Sequence, residues 1–142
     1  LGAATFHQHE ILATDLDKRS LDQAEAGIYT ESEIKGVSEK QRHRYFHPVG
    51  DNWQVRDFLR KSVKFKQQNL LTDPFPQDCD LILCRNVVIY FTQEAKDKLY
   101  PRLQAALRPG GVLMVGGTEP ILRYADYGFQ QLGSGFYRRE EP

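Results

Sequence analysis

A chain of 142 residues, 40% hydrophobic and 11% aromatic, is long enough for one globular domain with a core of its own. Lysine plus arginine total 19 and aspartate plus glutamate total 19, so there is no net positive field to hold a polyanion, and nucleic acid is set aside as a partner. No run approaches the roughly 20 apolar residues of a membrane span, and LGAATFHQHE lacks the basic start, apolar middle and cleavage site of a secretory signal, so the expectation is a cytoplasmic protein without membrane insertion.

In chain order, EILATD (10–15) is a short apolar run ending in acid, which predicts a strand, and KRSLDQAEAG predicts a helix directly after it. Asp17 can cap that helix, Leu21 and Ala24 share a face, and Gly27 supplies the stop. Ser38 and Gln41 form an S-x-x-Q capping box ahead of KQRHRYF, which predicts a second helix ended by His47, Pro48 and Gly50. From Asp51 the pattern turns strand-like: GDNW offers a turn, and QVRDFL and VKFKQ predict a small antiparallel excursion at about 51–62 followed by a core strand. DPFPQDCD reads as a loop, and CDLILCRNV as a buried strand of the parallel kind, apolar on both faces.

Thr92 to Leu107 predicts a helix with Ala95, Leu99, Leu103 and Leu107 inward and with Pro101 kinking or restarting it. RPGG then turns the chain, VLMVGG is another buried strand, and GFQQL and GFYRR close it as an aromatic-rich hairpin. Cys79 and Cys84 lie five apart on one strand and so face opposite ways, which predicts free buried thiols rather than a disulfide or a metal pair. His43 and His47 have helical spacing but no third ligand, and a solvated or capping role is expected of both. Strands alternating with helices over short connections predict an α/β, mostly parallel sheet with a terminal antiparallel hairpin and a small β-subdomain.

Such sheets bind ligands at the carboxyl ends of their strands. Asp15, Asn69, Arg85 and Asn86 each follow an apolar strand and are the candidates. A carboxylate at the first such position is where nucleotide-binding α/β proteins grip ribose hydroxyls, although a solvated aspartate or a helix-cap partner is an equal reading of Asp15 on position alone. In CRNVVIYF (84–91) two polar residues interrupt a buried run, which calls for a ligand or for pairing of Arg85 with a carboxylate such as Asp80.

ILATDLDKRSLDQAEAGIY, RYF (44–46), NLL (69–71), CDLILCRNVVIYF and LRPGGVLMVGGTE resemble, in order and spacing, the CheR-type protein-glutamate methyltransferases. The resemblance covers nearly all of residues 1–142, and CRNVVIYF is its most specific element. It implies a class I, Rossmann-like methyltransferase domain that moves a methyl group from S-adenosylmethionine to receptor glutamates, giving γ-glutamyl methyl esters and S-adenosylhomocysteine in chemotactic adaptation. It implies that Asp15 takes the ribose hydroxyls, that Asn69 and Leu70 contact adenine, and that Arg85 and Asn86 meet the cofactor beside the reacting centre. Tyr90 matches a tyrosine near the methyl-transfer site, with a core tyrosine as the alternative. The partners implied are methyl-accepting chemotaxis receptors, and no metal is implied.

The family's first strand and glycine-containing turn precede the stretch matched here. The expectation is therefore a partial domain, inactive alone, that self-associates or closes its sheet. HPVGDNWQVRD (47–57) is shorter than the β-subdomain of members that dock on a receptor C-terminal pentapeptide, which implies a member independent of that tether. Competing readings are a small-molecule methyltransferase, a nicotinamide oxidoreductase and a non-catalytic docking module.

Overall fold

The computed structural model describes residues 8–141. Residues 1–7, most of the leading segment considered above, lie outside the description, as does 142. The chain divides into two units, Leu1–Asn69 and Leu70–Pro142.

In the first unit, β1 (Ile11–Asp15) pairs in parallel with β5 (Val63–Gln67), Ile11 opposite Val63 and Asp15 opposite Gln67. Between them runs α1 (Lys18–Ala26). Asp17 accepts the Arg19 amide at 3.0 Å at its start, and Gly27, left-handed at φ 63°, ends it. The Arg60 guanidinium donates to the Ala26 carbonyl at 2.9 Å, placing a cation at the negative end of the helix dipole. The capping box of Ser38 and Gln41 starts α2 (Glu39–Tyr45) as expected.

The antiparallel sheet is wider than the sequence suggests and begins earlier. It has the order β2 (Ile28–Tyr29), β4 (Asn52–Val55), β3 (Phe46–Val49), so His47 and Pro48 lie in a strand directly after α2. Within the 51–62 stretch read as β, Asp57–Arg60 forms the one-turn helix α3. The alternation of QVRDFL misleads here because Asp57 is answered by Arg60 three residues on, at 2.7 Å, which is a helical contact.

The second unit holds a four-stranded sheet ordered β6 (Cys79–Cys84), β7 (Leu107–Val115), β9 (Phe136–Arg139), β8 (Phe129–Gly133). The β6–β7 pair is parallel and the terminal hairpin antiparallel, as the sequence predicts. RPGG does not end the preceding helix in a free turn. It lies inside β7 as an irregularity in which Cys79 faces Leu107 and Leu81 faces Val112, with Gly110 at φ 76°. Between β6 and β7, α4 (Gln93–Ala106) runs through Pro101 without restarting. The proline costs one backbone bond, but Leu99, Tyr100 and Leu103 bury on both sides of it.

The core gathers Cys84, Val88, Leu99, Tyr100, Leu103, Leu107, Leu113, Val115, Ile121, Phe129 and Tyr137. Two readings need correcting. β6 is not covered on both faces: Ile82 and Cys84 pack on the core, whereas Leu81 and Leu83, on the opposite face, are 56% and 62% exposed. That second face is left largely open among the described residues, so a parallel-type sequence here is packed on one side only. Phe136 is likewise exposed, and only Cys84 of the two free thiols is buried, Cys79 being half-buried.

Candidate functional site

The sequence-derived candidates fall at strand ends in both units. In the first, Asp15 closes β1 and is exposed. One of its carboxylate oxygens accepts the Asp17 amide at 2.8 Å, which fixes the side chain at the entry to α1, and the other has no hydrogen bond among the described residues. The two readings left open for Asp15 are therefore compatible: it helps form the turn and keeps an oxygen free for a ligand. The Asp15 carbonyl accepts the Gln68 amide at 2.9 Å, which carries the parallel pairing past the end of β5 to the residue before Asn69. Asn69 is half-buried. In the second unit, Leu70 is partly buried against the core and its carbonyl accepts the Arg102 Nε–H at 3.0 Å.

Arg85, Asn86 and Tyr90 share the loop that leaves the carboxyl end of β6. Arg85 is exposed, with no hydrogen bond or ion pair among the described residues. Its suggested partner, Asp80, is taken by Arg108 at 2.6 Å. Asn86 has φ 56°, the left-handed region that asparagine visits more readily than most residues but at a cost. Val88–Tyr90 then form a turn of 3-10 helix, closed by the Phe91 amide on the Val88 carbonyl at 3.0 Å. Val88 is buried at 2% exposure, while Tyr90 is 89% exposed, which removes the alternative of a core tyrosine.

What holds this loop is a residue that sequence reasoning passed over. Glu119, 5% exposed, accepts the backbone amides of Asn86 at 2.6 Å, Val88 at 3.0 Å and Gly116 at 3.1 Å. Its own amide donates back to the Gly116 carbonyl at 3.0 Å, so Gly116–Glu119 is a turn folded onto its last side chain. Gly116 has no room for anything larger: a Cβ there would lie 2.4 Å from a Glu119 carboxylate oxygen and 3.3 Å from Asn86 Oδ1. Downstream, the Tyr137 hydroxyl accepts the Ile121 amide at 3.0 Å and pins the exit of the turn.

The carboxylate marks its surroundings. Burial, with the Glu119 charge second, pushes the Cys84 thiol up to about 11. Burial, then Cys84 and Glu119, pushes Tyr100 up to about 12, so neither group supplies a thiolate or phenolate near neutrality. Leaving the two loop amides without an acceptor would cost about 1–3 kcal/mol each. A glutamate after Gly-Gly-Thr reads as an exposed turn. The available signal was its place between two apolar stretches, VLMV and PIL, where a carboxylate needs partners.

Taken unit by unit, the exposed guanidinium of Arg85 and amide of Asn86 in the second suit a carboxylate-bearing molecule, and the strand-end carboxylate of Asp15 in the first, with one open oxygen, suits ribose hydroxyls. S-adenosylmethionine carries both, so the residues present fit it. Among the described residues no group of three or more His, Cys, Asp or Glu is placed to hold a metal ion, and no helix is long and apolar enough to cross a membrane.

Comparison with known proteins points the same way. Residues 2–136 match the family described as CheR methyltransferase, SAM binding domain. The chain is 45% identical over 129 residues to a chemotaxis protein methyltransferase of Listeria monocytogenes, covering 91% of this chain and 49% of that one. It is 36% identical over 119 residues to chemotaxis protein methyltransferase 1 of Vibrio cholerae, covering 82% and 43%. The chain thus spans about half the length of the curated relatives it matches. A TehB-like SAM-dependent methyltransferase from Corynebacterium glutamicum superposes with a TM-score of 0.51 at 16% identity, over 96% of this chain and 70% of that one, which shows the shared fold.

Proposed function

This chain belongs to the CheR methyltransferase SAM-binding domain family, and from that premise we propose that the protein methylates glutamate side chains of chemotaxis receptors, forming glutamyl methyl esters during adaptation. When bound, S-adenosylmethionine supplies a methyl group on a sulfonium. The receptor glutamate is ionised near neutral pH, its ordinary value being about 4.3, and so attacks without a general base. With the cofactor bound, the carboxylate oxygen would take the methyl group and the sulfonium would leave as the neutral thioether S-adenosylhomocysteine, giving a neutral ester. The protein's task is to align the partners and exclude water.

In this reading Asp15 takes the ribose hydroxyls, Asn69 and Leu70 face the adenine, Arg85 and Asn86 meet the cofactor near the reacting centre, and Tyr90 stands at the methyl-transfer position. The single observation that carries the reading is the loop after β6, where Arg85 is left unpaired and exposed on a backbone fixed from beneath. Adaptation of chemoreceptors acts on their cytoplasmic side, which is the location proposed.

The test is calorimetry with S-adenosylhomocysteine on the complete protein, with Arg85→Ala and Asp15→Ala, alongside transfer of labelled methyl to receptor as a base-labile ester. Each variant is expected to weaken binding about tenfold or more, the worth of one charge-assisted hydrogen bond. Normal affinity in both would sink the site assignment, and labelled product that resists mild base would sink the ester.

A further inference from the structure

Glu119 is a buried carboxylate without a cation. None of the ion pairs among the described residues involves it, and its side-chain partners are three backbone amides. Burying a charge carries a desolvation cost that an apolar side chain of similar volume would avoid, so stability alone gives little reason for a glutamate here. What the carboxylate supplies that an apolar group cannot is direction. Two of its three bonds end on Asn86 and Val88, across the sheet end from its own turn, and one of those residues is held at φ 56°.

The side chains that the loop displays cannot hold themselves in place. Arg85 makes no hydrogen bond or ion pair among the described residues, and Tyr90 is 89% exposed. The conformation of residues 85–90 therefore depends on the Val88 side chain in the core, on Val87 packed against it, and on the Glu119 bonds beneath the backbone. Val87 and Val88 anchor the middle of the loop, and the carboxylate fixes the backbone on which Arg85 and Asn86 enter it. The space the carboxylate needs is kept open by Gly116, where a Cβ would fall 2.4 Å from Glu119 Oε2.

We propose that Glu119 is a positioning residue of the methyl-transfer site: through the backbone amides of Asn86 and Val88 it sets the loop conformation in which Arg85, Asn86 and Tyr90 are presented. The role rests on the cofactor reading of that loop given above, and it adds a residue that touches neither cofactor nor substrate. It also gives the Gly-Gly-Thr-Glu turn a job distinct from ending β7.

The experiment compares the complete protein with Glu119→Gln and Glu119→Asp. Glutamine keeps the size but places an amide NH2 among N–H donors; aspartate keeps the charge and draws it back by one methylene. Amide hydrogen exchange at Asn86 and Val88, affinity for S-adenosylhomocysteine, and a cycle with Arg85→Ala are the readouts.

Expected for Glu119→Gln are faster exchange at those two amides and affinity weakened about tenfold, with Glu119→Asp between it and the wild type. The Glu119→Gln/Arg85→Ala double variant is expected to bind little worse than Arg85→Ala alone, because both changes act on one contact. Unchanged exchange in either variant overturns the clamp, and so does an affinity loss that multiplies with that of Arg85→Ala. If Glu119→Gln fails to fold, wild-type affinity and exchange in Glu119→Asp overturn the proposal by themselves. A wild-type protein that binds no S-adenosylhomocysteine overturns the cofactor reading and this role with it, while the exchange data still report whether the carboxylate holds the loop.

Discussion

The Leu70–Pro142 unit buries apolar side chains from α4, β7, β8 and β9 around Phe129 and Tyr137, at 0% and 1% exposure, whereas in the unit ending at Asn69 the buried apolar residues are Leu21 and Ile34 alone among those described. The first unit relies instead on polar contacts. Glu31 accepts the Trp53 indole N–H at 2.6 Å and the Arg42 guanidinium at 2.5 Å, and Arg42 sits 5.2 Å from the centre of the Trp53 ring. Arg60 ties α3 to the end of α1, and Tyr45 stacks toward Phe58 at 6.4 Å between ring centres. The contrast shows where a site loop can be fixed rigidly. A buried carboxylate acts as a precise clamp only beside a core that excludes water, and the core is in the unit that carries the Arg85 loop.

The largest expected effect follows from that core. Phe129→Ala should lower the stability of the chain by about 3–5 kcal/mol, read as a fall in the urea midpoint. A loss under about 1 kcal/mol would mean that the Phe129 site collapses freely or that the core is not where the second unit's stability lies.

A smaller effect, in the other unit, is a response to acid. The Trp53 hydrogen bond, followed by Arg42, holds Glu31 below the usual carboxylate range; backbone and side-chain hydrogen bonds from Thr30 do the same for Glu33, and Arg60 for Asp57. A carboxylate whose folded value is depressed adds stability that is complete above its unfolded value, about 4.5 for Glu31, and that is lost as pH falls through the lower folded value. Trp53 is the single tryptophan of the chain and touches Glu31, so its emission should hold steady down to about pH 4.5 and shift below it. A shift centred above that value, or none at all in acid, would contradict the contact.

The smallest effect sharpens the comparison from inside the second unit. Leu83→Lys, on the exposed face of β6, should change stability by no more than about 0.5 kcal/mol. An effect of core size would show that this face is covered in solution.

The sequence made most of this architecture readable because its signals were local. Asp17, Gly27 and the Ser38–Gln41 box mark helix ends through contacts within four residues, and they are found where expected. The apolar runs at Ile11, Cys79 and Val112 read as strands for the same reason. What could not be read depends on partners distant in sequence. That β6 has one bare face, that Asp80 belongs to Arg108, and that Glu119 reaches 33 residues back to Asn86 are facts of tertiary pairing. Asp57–Arg60 failed on different grounds, since four residues are too few for either period to declare itself. Of the candidate site, Arg85 and Asn86 were legible from their place after an apolar strand and Tyr90 from the resemblance, while Glu119, which ends LRPGGVLMVGGTE, had no role there and takes one only from the fold.

The left-handed backbone of Asn86 changes what an alanine scan of this loop would report. Alanine at 86 removes the amide and, with it, the short polar side chain that lets asparagine tolerate a conformation costing an ordinary L-residue about 1 kcal/mol or more. A binding defect seen there would be credited to a lost contact when part of it is torsional. Glycine is the fitting reference at this one position: it lacks the Cβ, so Asn86→Ala against Asn86→Gly reports the torsion, and what remains of the Asn86→Ala defect is the lost contact.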